Sequence, residues 1–374
     1  MILAFDAKRF THNRTGLGNY SRFLLQALAE TFPEHSYLLF SPSEGKPELY
    51  SSLLERHPLH LHTPDSRWGC IFPAVWRSSD ILRQVQKSGA ELYHGLSNEL
   101  PHGKTTNLPM LLTIHDLIYM RYPDFYKPID RLLYKKKYGD SARRADRIVA
   151  ISETTKTDLI DYFDISPDKI DVVYQGCHPA FAIADKVAAE AAKSRYALPD
   201  SYILFVGSIE ERKNLGLIVE ALSLLPLPDI HLVAIGRHTP YTDLVKEKIV
   251  KLGLQDRVHL YHNIPFLDLP AIYQAATVFC YPSRFEGFGI PVIEALSSRI
   301  PVVAATGSCL EEAGGPDQLY TDPDDPEMLA SMLETAISDT AKREEMIVRG
   351  QEYIKAFRAD RIAQDMMRIY RSLV

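Results

Sequence analysis

Short β-branched or apolar runs alternate along the chain with amphipathic stretches, the pattern of βαβ units built around parallel sheets. In the first half the strand-like runs are Ile2 to Ala7, Tyr37 to Phe40, Leu59 to His62, Glu91 to His94, Met110 to His115, Arg147 to Ser152 and Ile170 to Tyr174. Helical periodicity fills the gaps, notably at Asn19 to Thr31, Asp130 to Arg144 and Thr154 to Phe163. After Gly176 the rhythm breaks at Pro179 and an alanine-rich charged stretch, Ala182 to Lys193. It resumes with Tyr202 to Val206, then Gly207, then a helix from about Asn214 to Leu225. Further strand-like runs follow at Leu232 to Ile235, Val258 to Tyr261, Val278 to Tyr281 and Pro301 to Ala304, and from about Asp325 the pattern is helical. The spacing predicts two doubly wound α/β domains, 1–178 and 179–356, with a last helix at about 357–374 returning to the first. In such sheets ligands bind outside the carboxyl ends of the strands, so the loops after the strands carry the chemistry.

Composition narrows the function classes. The 374 residues are 46% hydrophobic and 24% charged, as in ordinary globular proteins. A net charge of -6 lacks the basic footprint of a nucleic-acid binder, so any polyanion must meet a local site. No apolar run approaches the roughly 20 residues of a spanning helix. Asp6 cuts the opening run Ile2 to Phe5, so a signal peptide is not expected and the chain is read as cytoplasmic. Cys70, Cys177, Cys280 and Cys309 lie too far apart for a paired zinc motif and read as buried free thiols.

Three loops stand out. Thr15, Gly16, Leu17, Gly18 and Asn19 open a helix, where glycines admit an anion to backbone N–H groups. Ser21 stands where the dinucleotide fingerprint needs its third glycine, so a nicotinamide site is disfavoured and a plain turn stays open. The loop Gly207 to Asn214 places Arg212 and Lys213 at a strand-to-helix junction, a fork and a point charge suited to a diphosphate. A solvated turn paired with Glu210 and Glu211 is the alternative. Tyr281 to Glu294 builds a tight glycine loop that runs into a helix through Pro291, with Glu286 in the loop and Glu294 one turn along the helix. Carboxylates so placed can accept hydrogen bonds from vicinal hydroxyls, as in a sugar or a ribose; a capping turn with a surface glutamate is the alternative.

Together, Glu286 and Glu294 with seven residues between them, Gly207 through Asn214 and the Gly16/Gly18 loop resemble the retaining GT-B glycosyltransferases, of the group 1 or family four type. The resemblance runs over nearly the whole chain. It implies two Rossmann-like domains with an interdomain cleft, a nucleoside diphosphate sugar as co-substrate, retained anomeric configuration, and neither metal nor other cofactor. On the donor side it implies Arg212 and Lys213 for the diphosphate, Glu286 for the transferred sugar, and Glu294 for the ribose. Gly16, Gly18, Gly207, Gly287, Phe288, Gly289 and Ile290 complete the donor contacts. Ser208 stands where the family often has arginine, and Arg212 is the substitute. His115 and Asp116 resemble the family's cleft histidine and its neighbour; a satisfied structural histidine is the alternative. Asp322 and Asp324 form a DxD, read here as a turn and helix start rather than a metal site.

The implied activity is transfer of a hexosyl unit, with a lean toward mannose from GDP-mannose, to a glycan or lipid-linked acceptor in cell-surface polysaccharide or lipopolysaccharide assembly. A nucleotide-sugar 2-epimerase on the same fold and a non-catalytic nucleotide-sugar-binding subunit are the rivals. Residues 131–147, with Lys135, Lys136, Lys137, Arg143 and Arg144 around Tyr134 and Tyr138, form a basic aromatic helix. It offers either a peripheral contact at the inner face of the membrane or a solvated face.

Overall fold

The computed structural model describes residues 1–103 and 108–374. The chain divides into two units, Met1–Gly176 with Phe357–Val374, and Cys177–Ala356.

The first unit is built on seven parallel strands, β1 (Ile2–Asp6), β2 (Ser36–Phe40), β3 (Leu59–His62), β4 (Leu92–Gly95), β5 (Met110–Ile114), β6 (Arg147–Ala150) and β7 (Ile170–Val172). Their order is β3-β2-β1-β4-β5-β6-β7. Strands covered on both faces need apolar residues throughout, and every residue of β5 is buried. One face packs on the helix Gly16–Thr31, which buries Tyr20, Leu24, Leu25 and Leu28. The C-terminal helix Ala359–Leu373 joins the same core through Ile362, Ala363, Met366, Met367 and Tyr370, a stripe at helical spacing. Its Tyr370 hydroxyl meets Nδ1 of the buried His94 at 2.9 Å.

The second unit has six parallel strands, β8 (Tyr202–Val206), β9 (His231–Ile235), β10 (Val258–Tyr261), β11 (Val278–Tyr281), β12 (Val302–Ala305) and β13 (Leu319–Thr321), ordered β10-β9-β8-β11-β12-β13. In both sheets the winding reverses beside the first strand, between β1 and β4 and between β8 and β11, which is where parallel sheets open a crevice for ligand.

Differences from the sequence pattern are local. β13 has no counterpart in the predicted strands: it is three residues long, and only Thr321 of the three is fully buried. The run read as Arg147 to Ser152 stops at Ala150, because Ser152 turns its hydroxyl to the N–H of Thr155 and caps the helix Glu153–Phe163. A short helix, Lys8–His12, intervenes between β1 and the Gly16/Gly18 loop, so that loop is not the strand-to-helix turn itself. Among the described residues no helix is long and apolar enough to cross a membrane.

Candidate functional site

The site forms where β8 and β11 meet at the winding reversal of the second unit. β8 is followed directly by Gly207, at a φ of 159°. A Cβ on Gly236 at the end of β9 would lie 1.8 Å from the Gly207 carbonyl oxygen, and one on Gly207 would lie 2.9 Å from Lys213 Nζ. The end of β9 therefore closes against backbone only as glycine, whereas at Gly207 a side chain would crowd only the movable tip of Lys213. Ile209 is buried and anchors the loop. A single 3-10 turn, Glu211–Lys213, then presents the cations, and Asn214 in the left-handed conformation (φ 59°) starts the helix Leu215–Leu224. The Asn214 side chain is tied down by donation to the Pro323 carbonyl at 2.7 Å.

The glycine loop comes to these cations from β11. Lys213 Nζ donates to the Tyr281 hydroxyl at 2.9 Å, and that hydroxyl donates to Glu286 Oε1 at 2.9 Å. Ser283 Oγ donates to the same oxygen at 2.9 Å, and Arg212 Nη1 lies 2.9 Å from it. Lys213 Nζ stands 3.9 Å away. All these contacts fall on Oε1. Arg212 also donates to the Phe285 carbonyl, while its own carbonyl accepts from the Arg284 N–H at 2.9 Å, so the cation loop and the glycine loop are laced together.

The electrostatics follow from this packing. Burial raises the cost of ionising Glu286, but Lys213 and Arg212 outweigh it and hold the carboxyl below its usual range. Burial likewise opposes the Arg212 charge, and Glu286 outweighs it. The hydroxyl of Tyr281 is pushed far up by burial and by Glu286, so it stays a neutral donor.

Glu294 has a different environment. It lies on the helix Ile290–Ser297, entered through Gly289 at a φ of 124° and Pro291. Its Oε2 accepts from the buried Tyr273 hydroxyl at 3.0 Å. Burial dominates here and pushes its pKa up to about 7, with Tyr273 and Lys213 only partly offsetting it. The two glutamates therefore differ in kind, one fixed as an anion and one poised to change charge near neutrality.

The structure thus brings together Gly207, Arg212, Lys213 and Glu286, with Gly287, Phe288, Gly289 and Ile290 as the turn that leads to Glu294. Phe288 is buried at the base of that turn. Sequence reasoning gave no role to Tyr281, Ser283 or Tyr273; a tyrosine at the carboxyl end of a switch-point strand, next to a cation loop, is the signal that would have found Tyr281. Asp322 and Asp324 have other employment: Asp322 Oδ1 accepts from the Asp324 N–H at 2.8 Å, and Asp324 pairs with Arg284 at 2.6 Å. Asp325 caps the helix Pro326–Ser338. Among the described residues no group of three or more metal-ligating side chains forms.

Gly16, Gly18, His115 and Asp116 lie in the first unit. Gly16 is exposed with open space around it, whereas a Cβ on Gly18 would lie 2.1 Å from the Asn13 carbonyl oxygen. His115, just past β5, is 5% exposed. Its Nε2 faces the Leu96 carbonyl at 2.8 Å and its Nδ1 faces Gln175 Nε2 at 3.2 Å, so both ring nitrogens are engaged. Burial lowers its pKa to about 4, which makes the ring neutral, with Nε2 as the donor. Asp116 Oδ1 accepts from the Ile118 N–H at 3.2 Å.

The protein-family models match in two blocks. Residues 14–181 match Glycosyltransferase Family 4, and residues 188–353 match Glycosyl transferases group 1. Over its whole length the chain is 26% identical to the O-antigen chain mannosyltransferase B of Escherichia coli, covering 100% of both. The O-antigen chain mannosyltransferase RfbU of Salmonella typhimurium is 26% identical over 68% of this chain and 67% of its own. Among solved structures, Anabaena Alr3699/HepE in complex with UDP-glucose superposes with a TM-score of 0.75 at 18% identity, covering 99% of each chain. WaaG, a glycosyltransferase involved in lipopolysaccharide biosynthesis, superposes with a TM-score of 0.69 at 16% identity, again covering 99% of each chain.

Proposed function

The chain is a nucleotide-sugar-dependent glycosyltransferase of the GT-B fold, related to bacterial mannosyltransferases of polysaccharide and lipopolysaccharide assembly, and from that premise we propose that it transfers mannose from GDP-mannose to a growing glycan with retention of configuration. The full-length likeness to the O-antigen chain mannosyltransferase B supports the sugar. The observation that carries the chemistry is the Lys213–Tyr281–Glu286 chain closed by Arg212.

In this reading the departing diphosphate takes up the Arg212 and Lys213 charges, each charge-assisted hydrogen bond being worth about 1.5–3 kcal/mol. These fixed cations stabilise charge that develops as the sugar leaves, which is where preorganised groups lower a barrier. The transferase therefore works without metal, since the two cations do an ion's electrostatic task. Glu286, fixed through Oε1, turns Oε2 toward the sugar, whose hydroxyls it orders and whose growing positive character it stabilises. Glu294 accepts from the ribose hydroxyls. The neutral, doubly bonded ring of His115 acts as a positioning group for the loop at Leu96 rather than as a proton carrier. Gly16 keeps open space at the start of its helix for an anionic group.

We place the enzyme in the cytoplasm, resting peripherally on the inner face of the membrane where a lipid-linked acceptor would be presented. Support comes from the helix Pro128–Arg144, on which Ile129 (74% exposed) and Leu132 (70%) stand among Lys135, Lys136 and Lys137.

The test is a transfer assay with a donor panel of GDP-mannose, UDP-glucose and UDP-galactose, paired with thermal shifts by the same nucleotides. Ligand bound only by the native state raises stability as RT ln(1 + [L]/Kd). GDP-mannose should shift the melting temperature most and alone support turnover, in excess chelator as in its absence. Lys213→Ala should lower kcat/KM at least about tenfold. Turnover with UDP-glucose but not GDP-mannose would overturn the donor assignment, and an inverted product anomer would overturn retention.

A further inference from the structure

The carboxyl end of the first unit's sheet holds donors that are not fully satisfied. Lys8 and Arg9 follow directly on β1, and Ser97 follows just after β4. β1 and β4 are adjacent parallel strands, so Lys8, Arg9 and Ser97, each two or three residues past a strand end, leave neighbouring strands at the same edge of the sheet. This is the winding reversal of that sheet, where an open parallel sheet makes room for ligand.

The local carboxylates are already taken. Arg77 holds Asp6 through Nε and Nη2 at 2.5–3.3 Å and Glu99 through Nη1 at 2.9 Å. Asp6 Oδ1 also accepts from the Lys8 backbone N–H. Among the described residues neither the Lys8 ammonium nor the Arg9 guanidinium has a carboxylate within ion-pair distance; the pairs formed here are those of Arg77 and, at 4.0 Å, of Lys137 with Glu99. Arg9 Nη1 reaches Asn13 Oδ1 at 3.5 Å, while its Nε is shut from solvent without a partner. Ser97, 5% exposed, has its hydroxyl buried and unpartnered.

Leaving a buried donor unsatisfied costs about 1–3 kcal/mol, and clustered like charges add to the cost. The Lys8 ammonium is held below the usual lysine range by burial first, then by Arg77 and Arg9. Arg9 also acts on His115, so its charge stands close to the ring just past β5. The missing component is an acceptor oxygen that carries negative charge.

We propose that Lys8, Arg9 and Ser97 form an anion subsite in the first unit that receives a phosphate or carboxylate borne by the acceptor glycan. The identity of the occupant rests on the transferase reading above; the binding itself does not. An anionic oxygen here would satisfy Arg9 Nε and Ser97 Oγ and neutralise Lys8, while Asp6 and Glu99, spent on Arg77, would not repel it at full strength.

The test uses the full chain carrying Lys213→Ala, which removes a cation of the proposed donor site, titrated calorimetrically at low salt with inorganic phosphate and, separately, with glucuronate. At least one probe should bind, and its Kd should rise at least tenfold on adding Arg9→Gln or Lys8→Met. Ser97→Ala, the mildest change to the packing, should raise it several-fold. Arg9→Lys keeps the charge without the Nε–H and should restore binding only in part. In the otherwise native chain, Arg9→Gln should alter the Kd of GDP less than twofold. Binding of both probes unchanged by Arg9→Gln and Lys8→Met, or no binding of either probe to the Lys213→Ala chain, would overturn the subsite. A loss of GDP affinity as large as the loss of phosphate affinity would overturn it too, by assigning these cations to the donor. A chain that binds the probes as described yet transfers no sugar from any nucleotide would leave the subsite standing and overturn the proposed function instead.

Discussion

The Tyr281 hydroxyl donates to Glu286 Oε1 across 2.9 Å. The same hydroxyl accepts from Lys213 at 2.9 Å, so a neutral phenol joins a cation proposed for the leaving group to an anion proposed for the sugar. Tyr281 is fully buried and comes from the end of β11, which makes it a rigid link between two loops. Tyr281→Phe removes this link and little else. It should lower kcat roughly three- to tenfold and leave donor KM within about twofold, because Ser283 and Arg212 still hold the carboxylate. Ser283→Ala combined with Tyr281→Phe should cost more than the sum of the two changes, since both donors serve one oxygen. Steady-state kinetics of the three variants decides it; an unchanged kcat in the double variant would show that the geometry of Oε1 does not matter.

The two glycines of the first-unit loop should behave differently. A Cβ on Gly18 would meet the Asn13 backbone at 2.1 Å, whereas one on Gly16 meets nothing within 4 Å. Gly18→Ala should therefore lower Tm by several degrees, since overpacking against backbone costs about 1–3 kcal/mol or more. Gly16→Ala should leave Tm within about a degree. If Gly16 serves an anion through close backbone approach, its alanine variant should nevertheless raise donor KM. Thermal melts and donor kinetics on both variants separate packing from binding.

The strands and the loops between them were legible because a buried parallel strand must be apolar throughout, and Tyr202 to Val206 can be little else. That Arg212, Lys213 and Glu286 meet in one place was suggested by the glycosyltransferase resemblance, because their residue types alone fit a solvated charged turn and a capping turn as well. What the pattern could not supply was pairing across sequence. Tyr281 and Tyr273 look like core aromatics, and only the fold shows that their hydroxyls point to Glu286 and Glu294. His115 was ambiguous for the same reason: a histidine after a strand suits catalysis or packing equally, and the Leu96 and Gln175 contacts that engage both its nitrogens come from other loops. β13 was hidden by its brevity, and the short helix Lys8–His12 by lying inside what looked like a simple strand-to-loop passage.

Glu294, proposed for the ribose and with its pKa pushed up to about 7 by burial, should make donor binding pH-dependent. Ribose hydroxyls donate, so they favour the ionised carboxylate. Donor KM should fall as pH rises from 6 to 8 and level off above the pKa, and Glu294→Gln should flatten that profile. The sign for stability is opposite: a carboxyl whose folded pKa lies above its unfolded value favours the native state most at low pH, and that contribution fades as pH rises from the usual carboxylate range through about 7. A donor KM that rises with pH, or one whose dependence survives Glu294→Gln, would refute the ribose assignment.

Glu286 should show the reverse balance between binding and rate. Its carboxylate is the counter-ion of Arg212 at 2.9 Å and of Lys213 at 3.9 Å, so it competes for the charges that a diphosphate would use. Glu286→Gln keeps the shape and frees those cations. Bare GDP should then bind a few-fold more tightly, as measured by calorimetry, because it no longer has to replace an anion already paired with them. The same change removes the negative charge proposed to face the sugar as positive character develops, so kcat should fall roughly ten- to a thousandfold, the range seen for other electrostatic groups in active sites. Tighter nucleotide binding together with slower transfer is a pairing that simple loss of structure cannot produce, since a loosened loop would weaken both. If Glu286→Gln instead weakens GDP binding and leaves kcat near wild type, the carboxylate serves only to hold the glycine loop against Arg212, and the sugar must be met by another group.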